Sequence, residues 1–304
     1  MSERVQKPDA ILIAGPTASG KSKLALELAR RYGGEIVNTD SMQIYPVLRV
    51  LSARPDEVDM AQTPHHLYGY APIEEPYSVA RWLEDAKQKA NELWKRDVVP
   101  IFVGGTGLYF KALEEGLAGT PDIPSQIRAE IRADLLRDGS EKLHGRLQKL
   151  DPKGAENLQP SDGHRIARAL EVVVSTGNSL QFFQNQPVSQ PLLSGKNCQR
   201  LVLMPERSLL HTRINSRTEQ MMDEGAIDEV RALLALNLPI EATVLKAIGV
   251  PQLSDFILGK QALNESVEKI RAATRQYSKR QSTWFKGQFS DDWQFAKSLG
   301  EFEL

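Results

Sequence analysis

Cysteine is nearly absent from this chain: Cys198 is the one thiol in 304 residues. A single cysteine excludes an intramolecular disulfide and any cysteine-cluster metal site, and it suits a reducing compartment. Long hydrophobic runs are absent too. The N-terminal MSERVQKPDA is polar, and the run from Ile11 to Ala14 is far shorter than the roughly 7–15 residues of a signal-peptide core or the roughly 20 of a membrane span. A cytoplasmic protein without an anchor is expected. Net charge is also missing, since 38 Lys and Arg against 39 Asp and Glu leave −1. That excludes a body coated in positive charge and still permits a local basic stripe. No repeat or low-complexity tract is visible. What remains is 41% hydrophobic and 25% charged, the profile of a globular protein long enough for about two domains or one domain with a large insertion.

Short apolar runs alternate with helical patterns in the first third. AILIAG (10–15) reads as a buried strand, KSKLALELARRY (21–32) as a helix and EIVNTD (35–40) as a second strand. SVARWLEDAKQKANELWKR (78–96) is a long amphipathic helix, and VVPIFVGG (98–105) a third strand. Such alternation predicts right-handed βαβ units and a parallel sheet. From 120 to 196 the pattern turns helical: PSQIRAEIRADLLRDG, SEKLHGRLQKLDP and SDGHRIARALEVVVSTG, with Ser140 and Ser161 as candidate caps and Gly139 and Gly177 as candidate ends. RLVLMPE (200–206) then returns as a core strand. The expected organisation is an α/β core over 1–119 and 197–304, interrupted by an all-helical insertion over 120–196. A helix over 265–288 closes the pattern.

The sharpest local signal is GPTASGKS, formed by Gly15, Pro16, Thr17, Ala18, Ser19, Gly20, Lys21 and Ser22. It fits G-x-x-x-x-G-K-[ST] between a predicted strand and a predicted helix. Glycines let the backbone wrap phosphate oxygens, the N–H groups and helix N-terminus favour the anion, Lys21 adds a positive charge, and Ser22 can hold Mg²⁺. The loop announces a diphosphate or triphosphate without saying what carries it. A kinase would want an aspartate after a later strand. Here the third strand ends in Gly104, Gly105 and Thr106, and the acid, Asp40, follows the second. Both segments project at the carboxyl edge of a parallel sheet, beside the P-loop. Asp40 and Thr106 are therefore candidates to face whatever reacts there, with a helix cap and a plain turn as the alternatives. Arg213 and Arg217, spaced i,i+4, can clamp diphosphate oxygens from one helix face. From Arg271 to Lys286 five basic residues occur without an acid, and Arg271, Arg275 and Lys279 share a face; Tyr277, Trp284 and Phe285 interleave. A phosphate-binding stripe or a packed aromatic face both fit. His65 and His66 are adjacent on a strand and point to opposite sides, so one ion is not expected to take both.

Taken in order, GPTASGKS, DSMQIY, HHL, VGGTGLY, HRIARALE and TRQYSKRQSTWF resemble the tRNA dimethylallyltransferase family across about residues 11–286. The resemblance implies a P-loop kinase-like fold that does not transfer phosphate. It implies transfer of the dimethylallyl group of dimethylallyl diphosphate to N6 of the adenosine immediately 3′ of the anticodon, position 37, with release of diphosphate. It also implies a helical insertion that grips the anticodon stem-loop, and tRNA contacts at Asp40, Ser41, Met42, Gln43, Thr106, Arg128, His164, Arg165, Ile166, Ala167, Arg168, Lys246 and Gly249. Adenine N6 is a poor nucleophile, and Asp40 would accept its proton. Lys21 and Mg²⁺ would neutralise the leaving diphosphate. A small-molecule kinase and a non-catalytic RNA-binding protein are the competing readings, and a monomer is the default. The chain departs from the family at PVLRVLSARP (46–55), HHLYGY (65–70) and LKAIGVPQ (245–252).

Overall fold

The computed structural model describes residues 7–75, 77–119, 121–186, 190–239 and 242–302. The polar start at 1–6 and the expected boundary residue Thr120 lie outside them. The chain runs β1 (Ala10–Ala14), α1 (Lys21–Tyr32), β2 (Gly34–Asn38), α2 (Glu57–Gln62), β3 (His65–His66), α3 (Val79–Lys95), β4 (Val99–Gly104) and α4 (Gly107–Glu115). There follow α5 (Ser125–Leu150), α6 (Pro152–Glu156), α7 (Gly163–Thr176) and α8 (Leu180–Gln184). The chain then returns through β5 (Cys198–Leu203), α9 (Arg207–Asp223), α10 (Ala226–Ala235), α11 (Val250–Ile257), α12 (Leu263–Gln288) and β6 (Gln294–Ala296).

Six strands form one sheet in the order β3-β2-β4-β1-β5-β6, and every pairing is parallel. Parallel sheets are covered on both faces, so their central strands carry continuous apolar runs. All five residues of β1 are buried. Leu24, Ala25, Leu28 and Ala29 of α1 pack on one side of the sheet core with Ile11, Ile13, Ile101 and Leu203. Helix α1 ends at Gly33, whose left-handed conformation lets its N–H reach the carbonyl of Ala29. Helix α3 starts at Ser78, whose hydroxyl accepts the N–H of Arg81, and buries Trp82, Leu83, Ala86, Ala90 and Leu93 on one stripe. Trp82 stacks on Tyr109 of α4 at 4.0 Å, and its indole N–H donates to the carbonyl of Asn38. The tip of β2 is thereby fixed.

The chain divides into two compact units. One holds the residues up to Glu114 and those from Leu192 onward; the other is Glu115–Pro191, so the division falls about five residues before the expected limits on each side. The second unit is helical among its described residues and has its own core of Ile131, Leu143, Leu147, Ile166 and Leu170. Gly139 breaks α5 with φ +81, as its position in the sequence predicts. Gly177 caps α7 in the left-handed region and donates to Val173. The caps expected at Ser140 and Ser161 are different: Ser140 lies within α5, and Asp162 occupies the N-cap of α7.

Candidate active site

The ends of β1, β2 and β4 share one edge of the sheet, and each continues into a turn with a distinct job. After β1 the chain wraps through Gly15–Gly20. A Cβ on Gly15 would lie 2.6 Å from the carbonyl oxygen of Leu203, so only glycine fits there. Ala18 (φ +65) and Gly20 (φ +97) are both left-handed. For alanine that conformation is a strain, a feature that gathers at functional turns. The Ser19 hydroxyl is buried and has no hydrogen-bond partner. An orphaned buried donor in a loop of N–H groups fits an anion that supplies the missing acceptor. Lys21 begins α1, and burial lowers its pKa from 10.5 to about 8 against the opposing pull of Asp40, with Arg217 lowering it further.

Helix α9 closes the loop from outside. Arg213 donates to the carbonyl of Ser19 at 2.9 Å and more weakly to that of Ala18, and Arg217 donates to the Thr17 hydroxyl. The i,i+4 spacing thus puts both guanidiniums against the P-loop, as the sequence predicts. Burial lowers the pKa of Arg217, and Asp40 counters this. A half-buried guanidinium with no carboxylate in contact among the described residues is suited to receive an anion.

The turn after β2 presents Asp40. Asn38, fully buried, accepts the N–H of Asp40 at 2.9 Å and donates to the carbonyls of Asp40 and Leu67. Asp40 Oδ1 accepts the N–H of Met42 at 2.9 Å and so closes a turn; the next helix starts only at Glu57, so the alternative of a helix cap does not hold, and Oδ2 lies toward Gly105. Three phenols feel its charge. Burial first, and the Asp40 charge second, raise the pKa values of Tyr68, Tyr109 and Tyr277. The same charge acts on the cations Lys21 and Arg217.

The Gly-Gly-Thr-Gly turn after β4 is more than punctuation. A Cβ on Gly104 would collide with the Thr39 carbonyl at 2.0 Å, one on Gly105 with Gln281 Nε2 at 2.2 Å, and one on Gly107 with the Trp284 ring at 2.1 Å. Thr106 Oγ1 accepts the N–H of Ser41 at 2.9 Å and donates to its hydroxyl at 3.3 Å, which joins the two turns. Gln281 was not among the expected site residues. It is buried; its Oε1 accepts the N–H of Thr17, and its Nε2 donates to the carbonyl of Gly105, both at 2.9 Å. One amide thus ties the P-loop to the turn carrying Thr106. The buried face of α12 mixes Ser266, Ser278 and Gln281 with Ile270 and Phe285, so no break in an apolar pattern marks Gln281 in the sequence.

Several expected contacts land elsewhere. Gln43 spends its amide N–H groups on the carbonyls of Ser52 and Ala53, so its donors brace a loop and do not present a free edge for a base. The side chains of Ile166 and Ala167 are buried in the core of the second unit, since they fall on the inner face of α7; His164 and Arg165 are exposed on it. Arg168 pairs with the buried Glu171, as does Arg132. Arg128 is half-buried in the first turn of α5. Lys246 is exposed at the end of a short 3₁₀ turn, and Gly249 (φ +102) is covered by Leu51. Arg271 is ion-paired with Glu219 and Glu268, and Arg275 donates to Asn215. The basic stripe on α12 is therefore partly a seam against α9. His66 binds Glu35 and His65 binds the carbonyl of Thr63, roles that leave no shared metal site. No cluster of three or more His, Cys, Asp or Glu fit for a metal occurs among the described residues.

A parallel sheet with a P-loop at its central strand, and a carboxylate facing that loop's cations, defines a P-loop kinase-like transferase. The family described as IPP transferase matches residues 43–288, and that described as isopentenyl transferase matches residues 8–70. The tRNA dimethylallyltransferase of Rhizobium leguminosarum bv. trifolii is 52% identical over 295 residues, covering 97% of this chain and 99% of its own. That of Agrobacterium fabrum is 52% identical over 289 residues, covering 95% and 96%. Among solved structures, the full-length tRNA isopentenylpyrophosphate transferase of Bacillus halodurans superposes with a TM-score of 0.67 at 32% identity, covering 96% of this chain and 90% of that one. A eukaryotic dimethylallyltransferase acting on tRNA gives 0.76 at 26% identity, covering 96% and 75%. The chain belongs to the tRNA dimethylallyltransferase family.

Proposed function

We propose that this chain transfers the dimethylallyl group of dimethylallyl diphosphate to N6 of the adenosine immediately 3′ of the anticodon in tRNA. The observation that carries this reading is the meeting of three turns at one sheet edge: Arg217 reaches the P-loop at Thr17, Gln281 ties Thr17 to Gly105, and Thr106 ties that turn to Ser41 beside Asp40. It joins a proton acceptor to the cations of an anion-binding loop.

The diphosphate would lie along Gly15–Ser22, with the N–H groups of the loop, Lys21 and Arg217 against its oxygens and Arg213 holding the loop in shape. As the allylic C–O bond breaks, charge accumulates on that diphosphate, and prepositioned cations stabilise it without reorganising. The bond between N6 and the allylic carbon forms, and the N6 proton passes to Asp40 Oδ2. Thr106 holds the backbone beside Asp40 through Ser41. The adenine must leave its stack to enter, at a cost of a few kcal/mol.

Mg²⁺ fits this donor set in one way only. The chain offers the exposed Ser22 hydroxyl at the start of α1 and no dedicated carboxylate cage among the described residues. Mg²⁺ commonly keeps waters and takes the rest of its shell from substrate phosphates. When bound it would neutralise diphosphate charge, with Ser22 as the protein ligand. Partners are thus tRNA, through its anticodon stem-loop, and dimethylallyl diphosphate. His164 and Arg165, exposed on α7, mark the insertion's candidate RNA face, whereas Arg168 is held by Glu171.

Purified protein incubated with radiolabelled dimethylallyl diphosphate and unmodified tRNA should label the RNA at that adenosine. Transfer of γ-phosphate from ATP to a small acceptor, with no RNA labelling, would replace this reading with a kinase.

A further inference from the structure

Glu229 lies in the first turn of α10, outside every motif that pointed to function. Its half-buried carboxylate accepts three successive backbone N–H groups from the loop 46–55. Oε1 takes those of Arg49 at 2.6 Å and Val50 at 2.8 Å, and Oε2 takes that of Leu51 at 2.9 Å. Consecutive N–H groups turned to one side form a concave anion site of the kind that holds phosphate in other proteins. Here the chain supplies its own anion, from a helix 180 residues further along.

The loop is closed at its other end as well. Gln43 grips the carbonyls of Ser52 and Ala53, Arg54 donates to the carbonyl of Tyr45 at 3.1 Å, and the N–H groups of Gly69 and Tyr70 bind the carbonyls of Gln43 and Ile44. Residues 40–54 thus form one tied piece, and Glu229 is its polar anchor to α10. The Leu51 side chain gives a second footing on Gly249, where a Cβ would lie 2.6 Å from it. The P-loop shares none of these ties; Gln281, Arg213 and Arg217 hold it instead.

We propose that Glu229 is a positioning residue for the tRNA half of the site: by seating the amides of Arg49, Val50 and Leu51 it sets where Asp40–Gln43 meet the RNA, and it leaves the diphosphate half alone. The inference rests on the function proposed above.

The test is the variant Glu229→Gln, whose amide cannot accept three N–H groups without turning its own NH₂ toward one of them. KM for tRNA should rise at least tenfold, while KM for dimethylallyl diphosphate changes less than threefold. Glu229→Asp keeps the charge and should fall between Glu229→Gln and wild type. Hydrogen exchange gives a readout independent of turnover: amides 41–51 should exchange at least tenfold faster in Glu229→Gln, with 15–24 unchanged. Equal changes in both KM values, or unchanged exchange over 41–51, overturn the proposal. A wild-type protein that modifies no tRNA overturns the proposed function instead, and the exchange experiment still decides whether Glu229 anchors the loop.

Discussion

Asp40 carries two duties with its two oxygens. Oδ1 shapes its own turn by accepting the N–H of Met42, while Oδ2 lies toward Gly105, where a Cβ would be 3.4 Å from it. Asp40→Ala should lower the transfer rate by roughly 10²–10⁴ while tRNA binding stays largely intact, measured by single-turnover labelling beside equilibrium binding. Asp40→Asn separates the duties, because its amide oxygen can still cap Met42 but cannot take a proton. Lys21 makes a second residue-scale prediction. Its folded pKa is lowered to about 8 from 10.5, so between those values the unfolded chain holds a proton that the folded chain has released. Stability contributed by this group therefore rises with pH across that window, and the burial penalty is fully present below about pH 8. Ligand binding runs the opposite way, because the diphosphate wants the charged form. Affinity for diphosphate should weaken above about pH 8 in titration calorimetry, and Lys21→Met should remove that inflection.

At the scale of elements, the central strands were legible because their apolar runs are continuous. β1, β2, β4 and β5 fall within three residues of their expected positions, and the helical character of Val172–Thr176, which could be misread as a strand, follows from the repeat around it. β3 and β6 span two and three residues, too short to show any periodicity. The site was legible where chemistry fixes residue type, as in the P-loop, Asp40 and the two arginines of α9. It was not legible where a contact is made between distant elements by an ordinary polar residue, as with Gln281, Asn38 and Glu229. The glycines of the third turn belong with these, since their necessity comes from what packs on them. Gly107 at the start of α4 meets the face of Trp284 from α12, and a rigid ring cannot step aside as a flexible side chain can. Gly107→Ala should destabilise the protein by about 1–3 kcal/mol in denaturant unfolding and lower turnover, because Thr106 immediately precedes the displaced helix.

For the whole molecule, the net charge of −1 conceals a separated distribution, and the fold decides which basic residues are available. On α12, Arg271 is spent on Glu219 and Glu268 and is mostly shielded from solvent. Lys279 and Arg280 are exposed and, with Gln276, Thr283 and Trp284, line an open groove of about 460 Å³. A cation already paired with carboxylates has little counterion to exchange with RNA, whereas an exposed one beside an aromatic face releases the counterions it takes from a phosphate. Each phosphate neutralised contributes about 0.7–0.9 to the slope of log K against log salt. Lys279→Ala and Arg280→Ala should each weaken tRNA binding and flatten that slope by about one phosphate's worth. Arg271→Ala should leave the slope unchanged and show its loss in thermal unfolding instead. A slope that responds equally to all three variants would mean that the ion pairs of Arg271 open on binding and that the whole face of α12 meets the RNA. The salt titration therefore separates the cations that hold two helices together from those that a polyanion can use, a distinction that the total charge and the acid-free run from 271 to 286 leave hidden.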